Sequence, residues 1–158
     1  MEMQELSLEK FEEASEIVKK VTQETKLIYS EYFSERYGNK IYFKPENMQR
    51  TGAYKVRGAY YKISQLSKEE SEKGVIACSA GNHAQGVALA ATRRGIKSIV
   101  CMPDGAPIMK VENTKSLGAE VCLVPGTYDD AHDKAVELQE ETGMTFIHPY
   151  DDEQVIAG

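Results

Sequence analysis

The chain has few cysteines, no apolar run long enough to span a membrane and no excess of positive charge, and each shortage removes a class of function. Its three cysteines, Cys78, Cys101 and Cys122, are odd in number and lie inside or at the ends of apolar runs, as reduced core thiols do. No pair of them has the spacing of a zinc site, and no metal is expected. A helical span needs about 20 consecutive apolar residues, and nothing here approaches that length. The acidic start Met1-Glu2-Met3-Gln4-Glu5 lacks the basic and apolar blocks of a signal peptide, so a cytoplasmic location is expected. Acidic residues outnumber basic ones by 25 to 19, and the net charge of -6 repels nucleic-acid phosphates and anionic lipid. Neither nucleic acid nor a membrane is an expected partner. The nucleotide patterns G-x-G-x-x-G and G-x-x-x-x-G-K-[ST] are also missing.

What is present is a rhythm. Four short apolar runs, Val75 to Cys78, Ser98 to Met102, Val121 to Val124 and Met144 to Ile147, begin at 75, 98, 121 and 144, a constant step of 23 residues. Runs that are apolar throughout suit strands buried on both faces of a parallel sheet. Between them Val87, Ala90 and Ala91, then Ile108, Val111 and Leu117, then Ala131, Ala135 and Leu138 recur near the helical period. Gly95, Gly118 and Gly143 close these patterns, where a left-handed cap is needed before the next strand. The expectation is an α/β fold with an open, Rossmann-like parallel sheet of about four strands flanked by helices. A chain of 158 residues suffices for one such core.

The first 73 residues are organised differently. Phe11, Ala14, Val18 and Val21 share a helical face that Ser7 can cap. Ile41-Tyr42-Phe43 is a candidate strand, Val56, Ala59, Tyr60 and Ile63 mark a second helix, and Ser67 with Glu70 makes a capping box. At the other end Asp151-Asp152-Glu153 places acidic residues at the positive end of a helix starting near Gln154, yet the sequence stops at Gly158, which suggests a truncated chain.

Two segments can carry chemistry. In Glu46-Asn47-Met48-Gln49-Arg50-Thr51-Gly52-Ala53-Tyr54-Lys55-Val56-Arg57-Gly58-Ala59, a strand hands over through a Gly-containing turn to a helix, with Lys55 at the handover. A lysine amine attacks a carbonyl only when deprotonated, and partial burial beside a cation such as Arg57 favours that form. The bland alternative is a solvated surface charge. In Ser79-Ala80-Gly81-Asn82-His83-Ala84-Gln85-Gly86, small residues let a ligand approach the backbone, and the amides at the next helix start attract an anion. The bland alternative there is a tight strand-to-helix turn with Asn82 as cap. His132 lies on an acidic helix face, and His148 precedes Pro149 at a strand end, where a structural role is as well supported as a chemical one.

Taken together, these segments resemble the cofactor-lysine segment and the substrate-carboxylate loop of the fold-type II pyridoxal-phosphate enzymes, most closely the threonine and serine dehydratases. The resemblance continues through Met102-Pro103 and Lys110 to Val155-Ile156-Ala157-Gly158. It implies that Lys55 carries pyridoxal 5'-phosphate and later serves as general base and acid. Tyr54 would lie against the pyridine ring, where the family usually has phenylalanine. Asn82 would bond the phenolic oxygen, and Ser79, Gly81, Asn82 and His83 would hold the substrate carboxylate, largely through backbone amides. The implied reaction on L-threonine or L-serine removes the α-proton, expels the β-hydroxyl and yields a 2-oxo acid and ammonia, within amino-acid metabolism that includes isoleucine biosynthesis.

Ala53 stands where many relatives have serine. Ala80 stands where the related serine racemases carry a serine as a second acid-base group, and alanine cannot transfer a proton. The alternatives are a serine racemase and a non-catalytic binding or assembly module. By the same resemblance residues 1–48 belong to a large cofactor domain, 49–150 to a small Rossmann-like domain, and 151–158 to the start of a truncated helix. The phosphate-binding loop of the family lies beyond the equivalent of Gly158, so the chain by itself is expected to be inactive. A homo-oligomer is also expected.

Overall fold

Each element begins where a local signal stops the preceding one. The computed structural model describes residues 6–158. Helix α1 (Leu8–Val18) starts at Ser7, whose side chain accepts from the Lys10 amide, and it buries Ala14 and Val18. Strand β1 (Ile28–Tyr29) runs into α2 (Glu31–Tyr37), capped by Ser30 and closed by Gly38 in the left-handed conformation, and then into β2 (Tyr42–Phe43). These two strands form an antiparallel pair with Ile28 opposite Phe43. The pair and the helix between them were not anticipated beyond the strand near Tyr42. Both strands are two residues long and their side chains are exposed, so no apolar period announces them.

A single 3-10 turn, Glu46–Met48, leads to α3 (Val56–Ser64), which buries Val56, Ala59, Tyr60 and Ile63 as their spacing predicts. Helix α4 (Lys68–Lys73) has the full capping box between Ser67 and Glu70. The repeating part follows: β3 (Val75–Cys78), α5 (Asn82–Arg93), β4 (Ser98–Pro103), α6 (Ile108–Ser116), β5 (Glu120–Val124), α7 (Tyr128–Thr142), β6 (Thr145–Phe146) and α8 (Glu153–Ala157). Gly95, Gly118 and Gly143 all have positive φ, of 68°, 99° and 70°, at the expected helix ends. Asp152 caps α8 by accepting from the amides of Gln154 and Val155.

The four strands β3 to β6 are parallel and lie in the order β5-β4-β3-β6. Alternation divides their side chains between two layers. Val75 and Ala77 pack under α3 and α5, while Ile76, Cys78, Ile99 and Cys101 face Ala131 and Ala135 of α7. On the first face Val100 and Met102 meet Ala84, Ala88 and Val111 of α5 and α6. Helix α1 packs on α3 and α8 through Ala14, Val18, Tyr61 and Ala157. Cys78, Cys101 and Cys122 stand opposite one another across three neighbouring strands. Burial pushes the Cys78 thiol up to about 11 and that of Cys101 up to about 12, so both act as packing groups. No helix among the described residues is long and apolar enough to cross a membrane.

Gly58 lets α8 lie against α3, because an added Cβ would stand 2.3 Å from the carbonyl oxygen of Val155. Gly58→Ala should destabilise the chain by roughly 1–3 kcal/mol through overpacking, read as a lower urea midpoint at unchanged slope. An unchanged midpoint would show that α8 does not hold this position in solution.

Candidate active site

Within this sheet β3 comes first in sequence yet lies between β4 and β6, so the connections diverge on either side of it. In open parallel sheets, that point forms a crevice at the carboxyl ends of the strands. The loop Ser79-Ala80-Gly81 leaves β3 there, and Ile147 to Tyr150 leaves β6 beside it. The third wall is the turn before α3. Gly86 of α5 presses against it so closely that an added Cβ would lie 3.1 Å from the carbonyl carbon and oxygen of Lys55 and from the amide nitrogen of Val56. The two segments singled out in the sequence are thereby brought together.

Lys55 is half-buried at this junction and lines a cleft of about 380 Å³ with Tyr54, Pro149, Tyr150 and Ile156. Its Nζ donates to the Pro149 carbonyl oxygen and lies 5.5 Å from the centre of the Tyr54 ring. Tyr54 itself is 58% exposed, so its ring forms an open edge of the cleft.

Arg57 does not act as the free cation beside Lys55 that the sequence suggested. Glu46 pairs bidentately with one edge of its guanidinium, accepting from Nε at Oε2 at 2.6 Å and from Nη2 at Oε1 at 3.0 Å, which compensates the charge locally. Thr25 also donates to Glu46 Oε1 at 2.6 Å, and Gln49 bonds both the amide and the carbonyl of Gln23. This network staples the 3-10 turn and the loop near Thr25 to the base of α3. The Arg57 guanidinium, through its hydrogen bonds, holds the Glu46 carboxyl down at about 2, below its ordinary 4.5, with Thr25 adding to the effect against burial.

The Ser79 to His83 loop divides its donors in a way that sequence could not show. The Ser79 amide continues the sheet ladder to the Cys101 carbonyl at 3.1 Å, so a ligand could be met by its hydroxyl and not by that amide. That hydroxyl now accepts from the Gly81 amide at 3.2 Å. Gly81 takes the cap position of α5. Asn82 is the first helical residue and caps nothing; its Oδ1 accepts from Lys110 Nζ at 3.0 Å. The amides of Asn82 and His83 stand in the first turn, where a helix has no acceptor of its own for them.

The His83 ring is only 3% exposed and turns inward, with Nε2 2.8 Å from the Ile147 carbonyl. Burial, with a smaller contribution from the Lys55 charge, pulls its pKa down to about 4 against the Ile147 hydrogen bond. At neutral pH the ring is therefore uncharged and donates from Nε2, tying α5 to the end of β6. His148 is structural as well: its Nδ1 accepts from the amides of Asp151 at 2.7 Å and Tyr150 at 3.3 Å, shaping the turn that carries Pro149. His132 packs edge-on against Phe146 at 5.6 Å. Glu46 lies in the lysine segment and Pro149 and Tyr150 follow His148, but no local pattern gives any of the three its role, because they meet the lysine turn only through the fold.

Comparison with known proteins gives a consistent picture. The family model described as pyridoxal-phosphate dependent enzyme matches residues 18–158. The L-threonine ammonia-lyase of Thermotoga maritima is 50% identical over 153 residues, which are 97% of this chain and 38% of that protein. The L-threonine dehydratase catabolic TdcB of Escherichia coli is 53% identical over 129 residues, 82% of this chain and 39% of that protein. Among solved structures, maize serine racemase superposes with a TM-score of 0.90 at 35% identity, over 96% of this chain and 46% of the other. The chain thus spans about two fifths of the length of these curated relatives.

The Glu46 carboxylate yields a pH prediction. Its folded value is depressed, so its stabilisation is present above pH 4.5 and is lost as pH falls toward about 2. Glu46→Gln should cost about 1–3 kcal/mol at neutral pH and flatten the loss of stability over that window, measured by urea unfolding across pH. An acid limb identical in the variant and the natural chain would exclude this role.

Proposed function

This chain belongs to the pyridoxal-phosphate-dependent enzyme family, and from that membership we propose that it is the front part of a threonine or serine ammonia-lyase with Lys55 as the cofactor-carrying residue. The observation that carries this reading is the contact of Gly86 with the Lys55 peptide, which sets a half-buried amine beside a loop and a helix start suited to an anion. The residues present fit the cofactor. Gly81 leaves open space, with nothing within 4 Å of an added Cβ, and Lys55 lines a cleft on its own side of the turn.

When bound, pyridoxal phosphate supplies the electron sink for the electron pair left by the breaking α C–H bond. Lys55 would carry it and, once released, would move the α-proton on Nζ. The Ser79 hydroxyl and the amides of Asn82 and His83 would receive the substrate carboxylate, with Gly81 contributing its amide once Ser79 turns to the ligand. Tyr54 would flank the pyridine ring, and the Asn82 side chain would bond its phenolic oxygen. For L-threonine the net change is to 2-oxobutanoate and ammonia, the water lost with the β-hydroxyl being regained on hydrolysis. The likeness to solved racemase structures favours racemisation. Ala80 opposes it, since a methyl group offers no second proton carrier in the loop.

The names of the threonine ammonia-lyase and dehydratase relatives support threonine as substrate, and the catabolic name of one of them speaks against isoleucine biosynthesis. We divide the chain into residues 1–48 of a large cofactor domain, 49–150 of a small domain and 151–158 at the start of the next helix. The cofactor phosphate falls to the part of the parent enzyme outside these residues, in a cytoplasmic homo-oligomer.

Borohydride reduction of the chain with pyridoxal phosphate, followed by peptide mass spectrometry, tests the carrier. The pyridoxyl increment should saturate first on Lys55 and vanish from that peptide in Lys55→Ala. Labelling spread evenly over surface lysines would support the non-catalytic module instead. The exposed rings form two contacting sets, Tyr29 with Tyr42 and Phe33 with Tyr37 and Phe43, and exposed apolar surface of that kind promotes association. Sedimentation should show concentration-dependent self-association, and a strictly monomeric species at high concentration would exclude it.

A further inference from the structure

One polar contact beside the Lys55 turn has no part in the scheme above. Lys110 of α6 donates from Nζ to Asn82 Oδ1 at 3.0 Å, and three residues along each helix Asn113 donates from Nδ2 to Gln85 Oε1 at 3.5 Å. The two contacts are successive rungs between α5 and α6. Lys110 is half-buried and takes part in none of the ion pairs among the described residues, although the chain carries 25 acidic side chains. Its charge is directed to an amide.

That choice of partner has a geometric consequence. A lysine ammonium has donors and no acceptor, so only the oxygen edge of a carboxamide can face it. A free asparagine side chain has two orientations of similar shape, and either edge could meet a ligand. With Oδ1 held by Lys110, the NH₂ edge of Asn82 is turned the other way. Asn82 also lies four residues before Gly86, on the same stripe of α5, and Gly86 is the residue that touches the Lys55 backbone. Asn82 therefore starts from the stripe of α5 that meets the lysine turn.

We infer that Lys110 is a positioning residue that locks the Asn82 carboxamide with its NH₂ group available to an anionic ring oxygen beside Lys55. The inference rests on the reading of this site as one for pyridoxal phosphate, whose phenolic oxygen is such an acceptor. The flipped amide would set a carbonyl oxygen against that anion. The ammonium on the far edge also polarises the amide and strengthens it as a donor.

Two measurements test the lock. In the ligand-free chain the Asn82 side-chain ¹³Cγ and ¹⁵Nδ2 resonances should shift in Lys110→Met and return toward their original positions in Lys110→Arg, which restores a donor. Unchanged resonances in Lys110→Met would overturn the inference without any ligand being involved. The second measurement compares pyridoxal phosphate with 3-deoxypyridoxal phosphate, which lacks the phenolic oxygen, by equilibrium dialysis. Lys110→Met should weaken pyridoxal phosphate by about tenfold and leave the deoxy compound unaffected. Combined with Asn82→Ala it should cost nothing further. Equal loss for both compounds would mean a merely structural role for Lys110 and would overturn the inference. If the natural chain binds neither compound, the reading of the site fails, while the resonances still decide whether Lys110 orients the amide.

Discussion

The close approach of α5 to the peptide between Lys55 and Val56 is the constraint on which the candidate site depends. A hydrogen atom at position 86 allows it, since any Cβ there would meet three backbone atoms at 3.1 Å. The same helix buries Val87, Ala88, Ala90 and Ala91, small or compact residues that let it lie close to α3 and the sheet. With α5 fixed in this way, its first turn opens beside the lysine. A larger residue at 86 would separate the amine from the anion-binding end of α5 even if every chemical group were retained.

The charges around the crevice are each given a partner by the fold. Lys55 is bound to a peptide carbonyl, Arg57 to a carboxylate and Lys110 to a carboxamide, while His83 is kept neutral by burial. Compensation of Arg57 by Glu46 leaves two amino groups near a helix N-terminus, an arrangement that favours an anionic ligand. The bond from Lys55 to Pro149 holds the amine at the cleft wall, and either protonation state can form it, since a neutral amine still carries N–H donors. His83 and His148 contribute by fixing the backbone from Ile147 to Asp151, so the position of the Pro149 carbonyl is itself a product of two imidazoles.

Much of this was legible in the residues. Strand starts read at 75, 98, 121 and 144 are found at 75, 98, 120 and 145. The caps at Ser7 and Ser67 and the glycines that end three helices act as their types require, because each depends only on neighbours within a few positions. The antiparallel pair around α2 was not legible, since two-residue strands with exposed side chains leave no period to find. The bland alternative made Asn82 a helix cap, yet Gly81 holds that position and Asn82 is turned to Lys110, a partner 28 residues away.

The sequence by itself determined the repeating strand-helix units, their punctuation and the two segments with chemical potential, because period, capping and backbone freedom are local properties. Only the tertiary structure decided that β6 lies beside β3, that Lys55 reaches a carbonyl 94 residues away, that Arg57 is neutralised and which edge of Asn82 is free. Those outcomes depend on groups that meet only after the sheet and helices pack, and no local pattern records such a meeting.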